Sequence, residues 1–401
     1  MCLHLEMGFS NHLHSRMSVF LCWFLLAFGL QDAIYCSQYN SSEGKVRTCH
    51  LPQQNPTLYK LSSINADFAF SLYRWFSAEN PDWNIFFSPF LEVLGFNLTD
   101  TPMTELHQGF QHLICSLNFP KNDLELQMGN AIFIGKHLKP LAKFLDDVKT
   151  LYETEVFPTD FSNVSAAQKE INSYVEKQTK GKIIGLIQDL SLNIIMILVK
   201  YIHFKAQWAN PFCVSRTEES SNFSVDNATS VQVPMMHQLE QYYHFVDIEL
   251  NCTNALALFV LPKKEHLEWV EAAMSSKTLK KWNRLLQKGQ IELFVPKFSI
   301  SATYDHGSTL QKMGMSDAFA ESANFPGITE DSGLKLSYAF HEAVLHIGEE
   351  GTKEGAVSLD RPQVALLHPI IQFDRPFLLM TLEKGTRSIL FLGKVVNPVK
   401  E

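Results

Sequence analysis

Two apolar patterns alternate along this chain, and together they limit the folds it can adopt. From Ser62 to Ala78, apolar side chains recur every fourth residue, which predicts a helix buried along one face. From Ile194 to Phe204, an apolar run rich in β-branched residues predicts a buried strand. Because helices and long strands are mixed, the sequence predicts an α+β fold.

The remaining patterns extend the same mixture to the end of the chain. A second helix is predicted from Ser165 to Lys180. Further strands, bounded by Pro, Gly or Asn, are predicted over Phe223 to Met235, Asn254 to Leu261, Ile291 to Ile300 and Pro369 to Leu382. No internal repeat and no linker rich in Gly, Pro or Ser divides the chain. We therefore expect a single domain over residues 37–401. The whole chain is 46% hydrophobic, which is enough to form a large core.

An apolar leader precedes this domain. Residues 19–30 form an unbroken apolar run after Arg16, which is shorter than the roughly 20 residues needed to cross a bilayer. This length disfavours a membrane anchor and predicts a signal peptide over residues 1–36. Met17 is an alternative start. With either start, we expect a secreted protein without a membrane partner.

Six glycosylation sequons support secretion. A single Asn-X-Ser/Thr motif is common by chance, whereas six behind a leader predict an extracellular glycoprotein whose sequon loops face solvent. The acceptor residues are Asn40, Asn97, Asn163, Asn222, Asn227 and Asn251.

Charge and motif content disfavour several functions. The net charge of −8 repels phosphate backbones, so no nucleic acid partner is expected. The seven cysteines include no CxxC pair, and His341 and His346 are spaced for opposite faces of a strand, so no metal site is predicted. There is no GxSxG elbow, Walker loop or GxGxxG motif. We therefore expect neither an enzyme with catalytic residues nor a cofactor.

Several motifs follow one another in order over about Leu58 to Pro398. They are Leu198–Phe212, Val233–Met236, Phe294–Phe298, Leu310–Met315, Phe373–Phe377 and Leu390–Pro398. This ordered set resembles the serpin family, although Lys200 stands where the family has Asn. The resemblance implies a serpin fold, with three β-sheets surrounded by helices and an exposed reactive-centre loop. We expect a monomer.

Four further segments are Ser63–Phe70, Leu94–Pro102, Gly135–Lys143 and Ala273–Asn283. They resemble the non-inhibitory serpins that carry thyroxine and related iodothyronines in blood plasma. The function implied by this resemblance is thyroid hormone transport, with hormone release coupled to movement of the reactive loop.

A hormone site is expected on a helix predicted from Glu271 to Lys288. Ser276, Leu279, Lys280 and Asn283 lie at i, i+3, i+4 and i+7 and so share one face. Spacing alone also fits an ordinary amphipathic surface helix, and only the resemblance assigns this face to the hormone. It adds the contact residues Tyr59, Ser62, Leu256, Lys384 and Arg387.

The ligand chemistry suits these residue types. Thyroxine has an iodinated diphenyl ether body and an amino-acid end, so its pocket needs apolar walls and a cation for the carboxylate. By resemblance, Arg387 meets the amino-acid end, and Lys384 stands where the related carriers have a second arginine. Lysine lacks the planar fork of arginine, so we expect weaker or altered anchoring there. An ordinary solvated turn is the alternative interpretation of both cations.

The alternative function is inhibition of extracellular serine proteases through cleavage and insertion of the reactive loop. Insertion requires small side chains in the loop hinge, which the resemblance places at Gly351, Thr352 and Glu354. Glu354 lies where inhibitory serpins favour alanine, and burial of an unpaired carboxylate is costly. Inhibition is therefore disfavoured, although proteases that cleave the loop remain a second class of partner.

Two stretches are shorter than the family pattern. One gap, the size of a helix, lies between Pro89 and Leu91, and a second lies between Thr253 and Asn254 beside the expected pocket. Either a gene-model or splice difference or a natural deletion would account for these two gaps. A natural deletion predicts poor secretion and weak hormone binding.

Overall fold

The computed structural model describes residues 56–89, 125–205, 210–244, 247–249, 255–285, 287–350 and 369–400, together with residues 107, 109, 111, 114 and 208. Its helices are α1 (Pro56–Glu79), α2 (Ala142–Tyr152), α3 (Val164–Gln178), α4 (Leu267–Ala273), α5 (Ser276–Leu285) and α6 (His306–Lys312). Its strands are β1 (Ile85–Phe87), β2 (Glu125–Gly135), β3 (Glu155–Thr159), β4 (Met196–Lys205), β5 (Glu218–Ser224), β6 (Ser230–His244), β7 (Asp247–Glu249), β8 (Ala255–Val260), β9 (Gln287–Pro296), β10 (Phe298–Asp305), β11 (Tyr338–Ile347), β12 (Ile370–Gln372), β13 (Phe377–Glu383) and β14 (Ile389–Val395).

Five strands form one sheet in the order β10-β11-β4-β2-β3. At its centre β4 and β11 pair in parallel, with Tyr338–His346 opposite Ile197–Lys205. One face packs against α3, where Ile171 and Val175 are buried over the sheet residue Phe133. Because the central strands are covered on both sides, buried residues such as Met196, Ile197, Ile202 and Phe204 lie on both faces of β4, as expected for a buried parallel strand.

The other nine strands form two sheets that meet at one residue pair. Their continuous pairing order is β1-β14-β13-β8-β7-β6-β9-β12, with β5 also paired to β6. Among the described residues, β6 and β7 are paired through Tyr243 and Asp247 alone. Together with the five-stranded sheet, these make the three sheets expected from the resemblance.

A buried polar cluster attaches α1 to β14 and α4. Lys394 on β14 is almost fully buried, and its amine donates to Ser77 Oγ and to the Pro81 carbonyl, each at 2.9 Å. The same amine lies 3.4 Å from Glu271 Oε1 on α4. Burial lowers the pKa of Lys394, while Glu271 opposes that shift. The cluster therefore fixes the position of α4 relative to α1.

Four predicted elements are confirmed, with ends displaced by one to six residues. The helix predicted from Ser62 to Ala78 is α1, and the helix predicted from Ser165 to Lys180 is α3. The strands predicted from Ile194 to Phe204 and from Asn254 to Leu261 are β4 and β8. These are the segments in which one apolar period runs without interruption.

Three predicted strands are wrong as single elements, because each contains a break. The Phe223–Met235 segment turns back between β5 and β6, where Asp226 Oδ1 accepts from two backbone amides of the turn. The Ile291–Ile300 segment divides at Lys297, whose amide donates to the Pro234 carbonyl, so its halves enter different sheets. The Pro369–Leu382 segment forms β12 and β13 on either side of residues 373–376.

Several sequence predictions concern residues outside the described ranges. These are the leader at residues 1–36, the sequons Asn40, Asn97 and Asn251, the hinge residues Gly351, Thr352 and Glu354, and the two shortened stretches. The other acceptors, Asn163, Asn222 and Asn227, are exposed. Asn163 Oδ1 caps α3 by accepting from the Ala166 amide at 3.1 Å, an interaction that leaves its Nδ2 for a glycan.

His341 and His346 lie on β11, and the strand directs them to opposite faces as predicted. His341 Nε2 accepts from the Ser88 amide at 3.2 Å, and Ser299 Oγ lies 2.7 Å from His346 Nδ1. Among the described residues, no three His, Cys, Asp or Glu side chains are grouped to hold a metal ion. No helix in the same ranges has the length and apolar character to span a bilayer.

Glu342 predicts a pH-dependent stability of the fold. Its carboxyl on β11 is 7% exposed, 3.5 Å from Ser301 Oγ, and burial raises its pKa from 4.5 to about 7. Between these two pKa values the folded protein holds a proton on Glu342 that the unfolded chain has released. The free energy of unfolding therefore falls as the pH rises from the lower pKa through the higher one. Glu342→Gln stays uncharged, so we expect it to be more stable than wild type at pH 8 by about 3 kcal/mol, and equal to it near pH 4.

Urea denaturation at several pH values measures this difference. Glu176→Gln, at an exposed position on α3, is the control and should follow the wild-type profile. A Glu342→Gln variant with the same pH profile as wild type would contradict the prediction.

Candidate functional site

A cavity of about 220 Å³ lies between α1, α5, the strands β8 and β13 and the turn after β13. Helices form two of its walls and a sheet forms its floor. Its lining residues are Tyr59, Ser62, Ser63, Ala66, Leu258, Ser276, Leu279, Lys280, Asn283, Leu382, Thr386 and Arg387.

The first wall is one face of α1. Tyr59, Ser62, Ser63 and Ala66 lie at i, i+3, i+4 and i+7 along this helix and therefore share a side. Tyr59 is 48% exposed at the cavity mouth, whereas Ser62 and Ala66 are buried. The wall therefore changes from polar and open to apolar and closed with depth.

The second wall is α5, which differs from the predicted helix. The prediction of one helix from Glu271 to Lys288 is wrong, because the chain breaks between α4 and α5 and Lys288 belongs to β9. The predicted face is nevertheless intact, and all four of its members line the cavity. Lys280 Nζ donates to Ser63 Oγ at 2.7 Å and so joins the two helical walls at their rim.

Asp67 of α1 caps the beginning of α5. Asp67 Oδ1 accepts from the Ser276 amide at 2.8 Å, and Oδ2 accepts from the Ser276 hydroxyl at 2.9 Å. A carboxylate at a helix N-terminus satisfies free amides and interacts favourably with the helix dipole. Because the cap comes from the opposite wall, it sets the distance between α1 and α5.

The floor consists of Leu258 on β8 and Leu382 on β13. The strands are antiparallel, with Leu382 opposite Leu256 and Leu258 opposite Met380. Leu256, the predicted contact, is buried but lies outside the cavity lining, and Leu258 two residues further along the same strand face lines it instead.

The turn after β13 supplies one of its two predicted cations to the cavity. Arg387 is half-buried and lines it, whereas Lys384 is exposed and lies outside the lining. The buried hydroxyl of Thr386 lines the cavity beside Arg387. The cations at the described cavity are therefore Lys280 and Arg387, one on each side.

This combination suits an amphiphilic ligand with an anionic end. The apolar surfaces of Ala66, Leu258, Leu279 and Leu382 can bury a hydrophobic body, while serine hydroxyls and Asn283 provide hydrogen bonds. Arginine is well suited to a carboxylate because its planar fork can make two parallel hydrogen bonds.

Seven of the nine predicted ligand contacts line this cavity, and five lining residues were missed. Two of these, Ser63 and Ala66, follow from Tyr59 and Ser62 by the i+4 spacing of a helix. The others, Leu258, Leu382 and Thr386, depend on strand register and turn shape, which the sequence pattern did not fix. Hormone contact by any of these residues remains a prediction.

Comparisons with known proteins agree with this fold. The family model described as Serpin (serine protease inhibitor) matches residues 90–398. Thyroxine-binding globulin of Mus musculus is 76% identical over 96% of this chain and 100% of its own length. The crystal structure of human thyroxine-binding globulin in complex with thyroxine is 66% identical and superposes with a TM-score of 0.78, covering 86% of this chain and 100% of that one.

Two further points follow from these alignments. The reactive-loop-cleaved human thyroxine-binding globulin superposes less closely, with a TM-score of 0.68 at 60% identity over 84% of this chain and 99% of that one. The alignment with the mouse relative extends over 418 positions, more than the 401 residues of this chain. The relative therefore has residues that this chain lacks, in agreement with a shortened chain.

The cap on α5 gives a stability prediction. Asp67→Ala removes both bonds to Ser276 and should lower the free energy of unfolding by about 1 kcal/mol. Asp146→Ala, at an exposed position on α2, is the matched control and should change it by less than about 0.5 kcal/mol. Equal urea midpoints for the two variants would show that Asp67 does not hold α5.

Proposed function

Because the chain belongs to the serpin family, we propose that it is a non-inhibitory serpin that binds thyroxine and related iodothyronines and transports them. The observation that carries the proposal is the cavity between α1 and α5, in which an apolar floor lies between Lys280 and Arg387. The high identity to thyroxine-binding globulins of several mammals supports the same ligand.

In the proposed complex, the hydrophobic rings lie on Leu258, Leu279 and Leu382, which together exclude water from the iodinated surface. The carboxylate lies at Arg387, and Asn283 at the rim offers an amide to a polar group of the ligand. No bond in the ligand is made or broken. The protein's role is reversible burial of a poorly soluble molecule.

Transport in blood plasma requires secretion. The apolar leader over residues 1–36 and the six sequons support an extracellular glycoprotein, with a single domain over residues 37–401 acting as a monomer. The exposed acceptors Asn163, Asn222 and Asn227 are accessible to glycosylation in the folded chain.

Hormone release is proposed to follow movement of the loop after β11. The hinge residues Gly351, Thr352 and Glu354 follow β11 in the sequence after residues 348–350, and β11 borders β4 in the five-stranded sheet. His341 on β11 accepts from the Ser88 amide just after β1, and β1 pairs with β14. These contacts can therefore transmit a movement of β11 to the strands around the cavity.

Titration with thyroxine tests the carrier function. Intrinsic fluorescence should saturate at one hormone per chain. Arg387→Gln should weaken binding about tenfold through loss of a charge-assisted hydrogen bond. Lys384→Gln, the matched change in the same turn, should weaken it less than about threefold because Lys384 is exposed. Absence of saturation in wild type would exclude the carrier function.

The matching family model is described as a serine protease inhibitor, so protease inhibition is the competing function. The carboxylate of Glu354 opposes burial of the hinge in the sheet, so incubation with serine proteases should yield cleaved chain alone. A protease complex that survives denaturing electrophoresis would establish inhibition. Glu354→Ala tests whether this carboxylate prevents insertion. The variant should insert its loop more easily, and its thermal stability should therefore rise after cleavage.

A further inference from the structure

A buried carboxylate organises the turn that carries Arg387. Glu383 ends β13, is 7% exposed and does not line the cavity. Its Oε1 accepts from the Gly385 amide at 2.9 Å, and its Oε2 accepts from the amide and hydroxyl of Thr386 at 2.5 and 2.7 Å. Charge-assisted bonds of this kind are short and strong, so the turn is held firmly around the carboxylate.

The backbone of Arg387 depends on the same turn. Its amide donates to the Glu383 carbonyl at 2.8 Å, and the Glu383 amide donates to the Ser388 carbonyl at 2.8 Å. Arg387 has φ +61°, in the left-handed region that residues other than glycine rarely adopt. A strained conformation persists only where surrounding bonds impose it.

The turn also closes tightly on the carboxylate. A Cβ atom at Gly385 would lie 3.2 Å from Glu383 Oε1, so the chain approaches the carboxylate more closely than most side chains allow. A negative charge beside a site for a carboxylate would by itself weaken binding. The hydrogen bonds from the turn to Glu383 explain why a carboxylate is nevertheless found at this position.

We infer that Glu383 is a positioning residue, which holds the turn in the shape that directs Arg387 to the cavity and thereby sets the affinity for the carboxylate end of the ligand. The inference rests on the proposed function. Glu383 acts through Arg387 and does not touch the ligand. Its effect is therefore confined to ligands that carry the carboxylate.

Two ligands distinguish positioning from general stabilisation. One is thyroxine, and the other is its decarboxylated analogue, an iodothyronamine. Glu383→Gln replaces one acceptor oxygen with an NH₂ donor that faces the donors of the turn. We expect its affinity for thyroxine to fall about tenfold and its affinity for the analogue to change less than about twofold.

The chain offers a matched control in the turn between β5 and β6. Asp226 Oδ1 accepts from the amides of Ala228 and Thr229, each at 2.7 Å, so Asp226→Asn disturbs a carboxylate-organised turn away from the cavity. Its affinities for both ligands should equal those of wild type. If Glu383→Gln fails to fold, Glu383→Asp keeps the charge, shortens the reach by one methylene and should show the same selective loss.

A double variant tests the route of action. If Glu383 acts through Arg387, Glu383→Gln combined with Arg387→Gln should bind thyroxine as weakly as Arg387→Gln alone. Three results would overturn the inference and leave the proposed function intact. They are additive losses of affinity in the double variant, equal losses for both ligands in Glu383→Gln, and an unchanged affinity of Glu383→Gln for thyroxine. A wild-type protein that binds neither ligand would overturn the proposed function, and the inference with it.

Discussion

The cavity depends on the buried pairing of Lys394 with Glu271. The pair joins β14 to α4, and α1 shares it because the Tyr73 and Ser77 hydroxyls donate to the same carboxylate. Loss of one member of a buried pair leaves an uncompensated charge, so this geometry is strongly constrained. Because α4 leads directly into α5, the wall that carries Lys280 begins from a fixed point.

The floor and the walls of the cavity are held by different forces. Leu258 and Leu382 belong to central strands whose backbone bonds and apolar packing are continuous with the core. The helix α5 has few buried side chains of its own, and polar contacts such as that between Asp67 and Ser276 supplement the packing of Leu279 and Trp282 on the core. A rigid apolar floor with polar walls favours a ligand that is hydrophobic on one side and charged at one end.

Much of this arrangement could be predicted from the sequence. The predictable features depend on residues close together in the chain, and the others depend on contacts between distant residues. The face of α5 was predicted correctly although the helix limits were wrong, because i+3 and i+4 spacing survives an error in either end. The resemblance implies a contact at Leu256, whereas Leu258 lines the cavity, because which strand residues face a cavity depends on register with residues far apart in the chain. The role of Glu383 had no signal in the sequence, since a carboxylate before a turn is usually solvated.

The two strands that flank the reactive loop in the sequence, β11 and β12, contact the strands of the cavity by different routes. After β12, the ring of Phe373 lies 5.6 Å from that of Phe259 on β8 and 5.0 Å from that of Phe377 on β13. The five-stranded sheet is connected differently, through the bonds of Ser88 with His341 and of Phe86 with Tyr304. A displacement of β11 can therefore reach the cavity strands through hydrogen bonds at β1, and a displacement of β12 can reach them through aromatic packing.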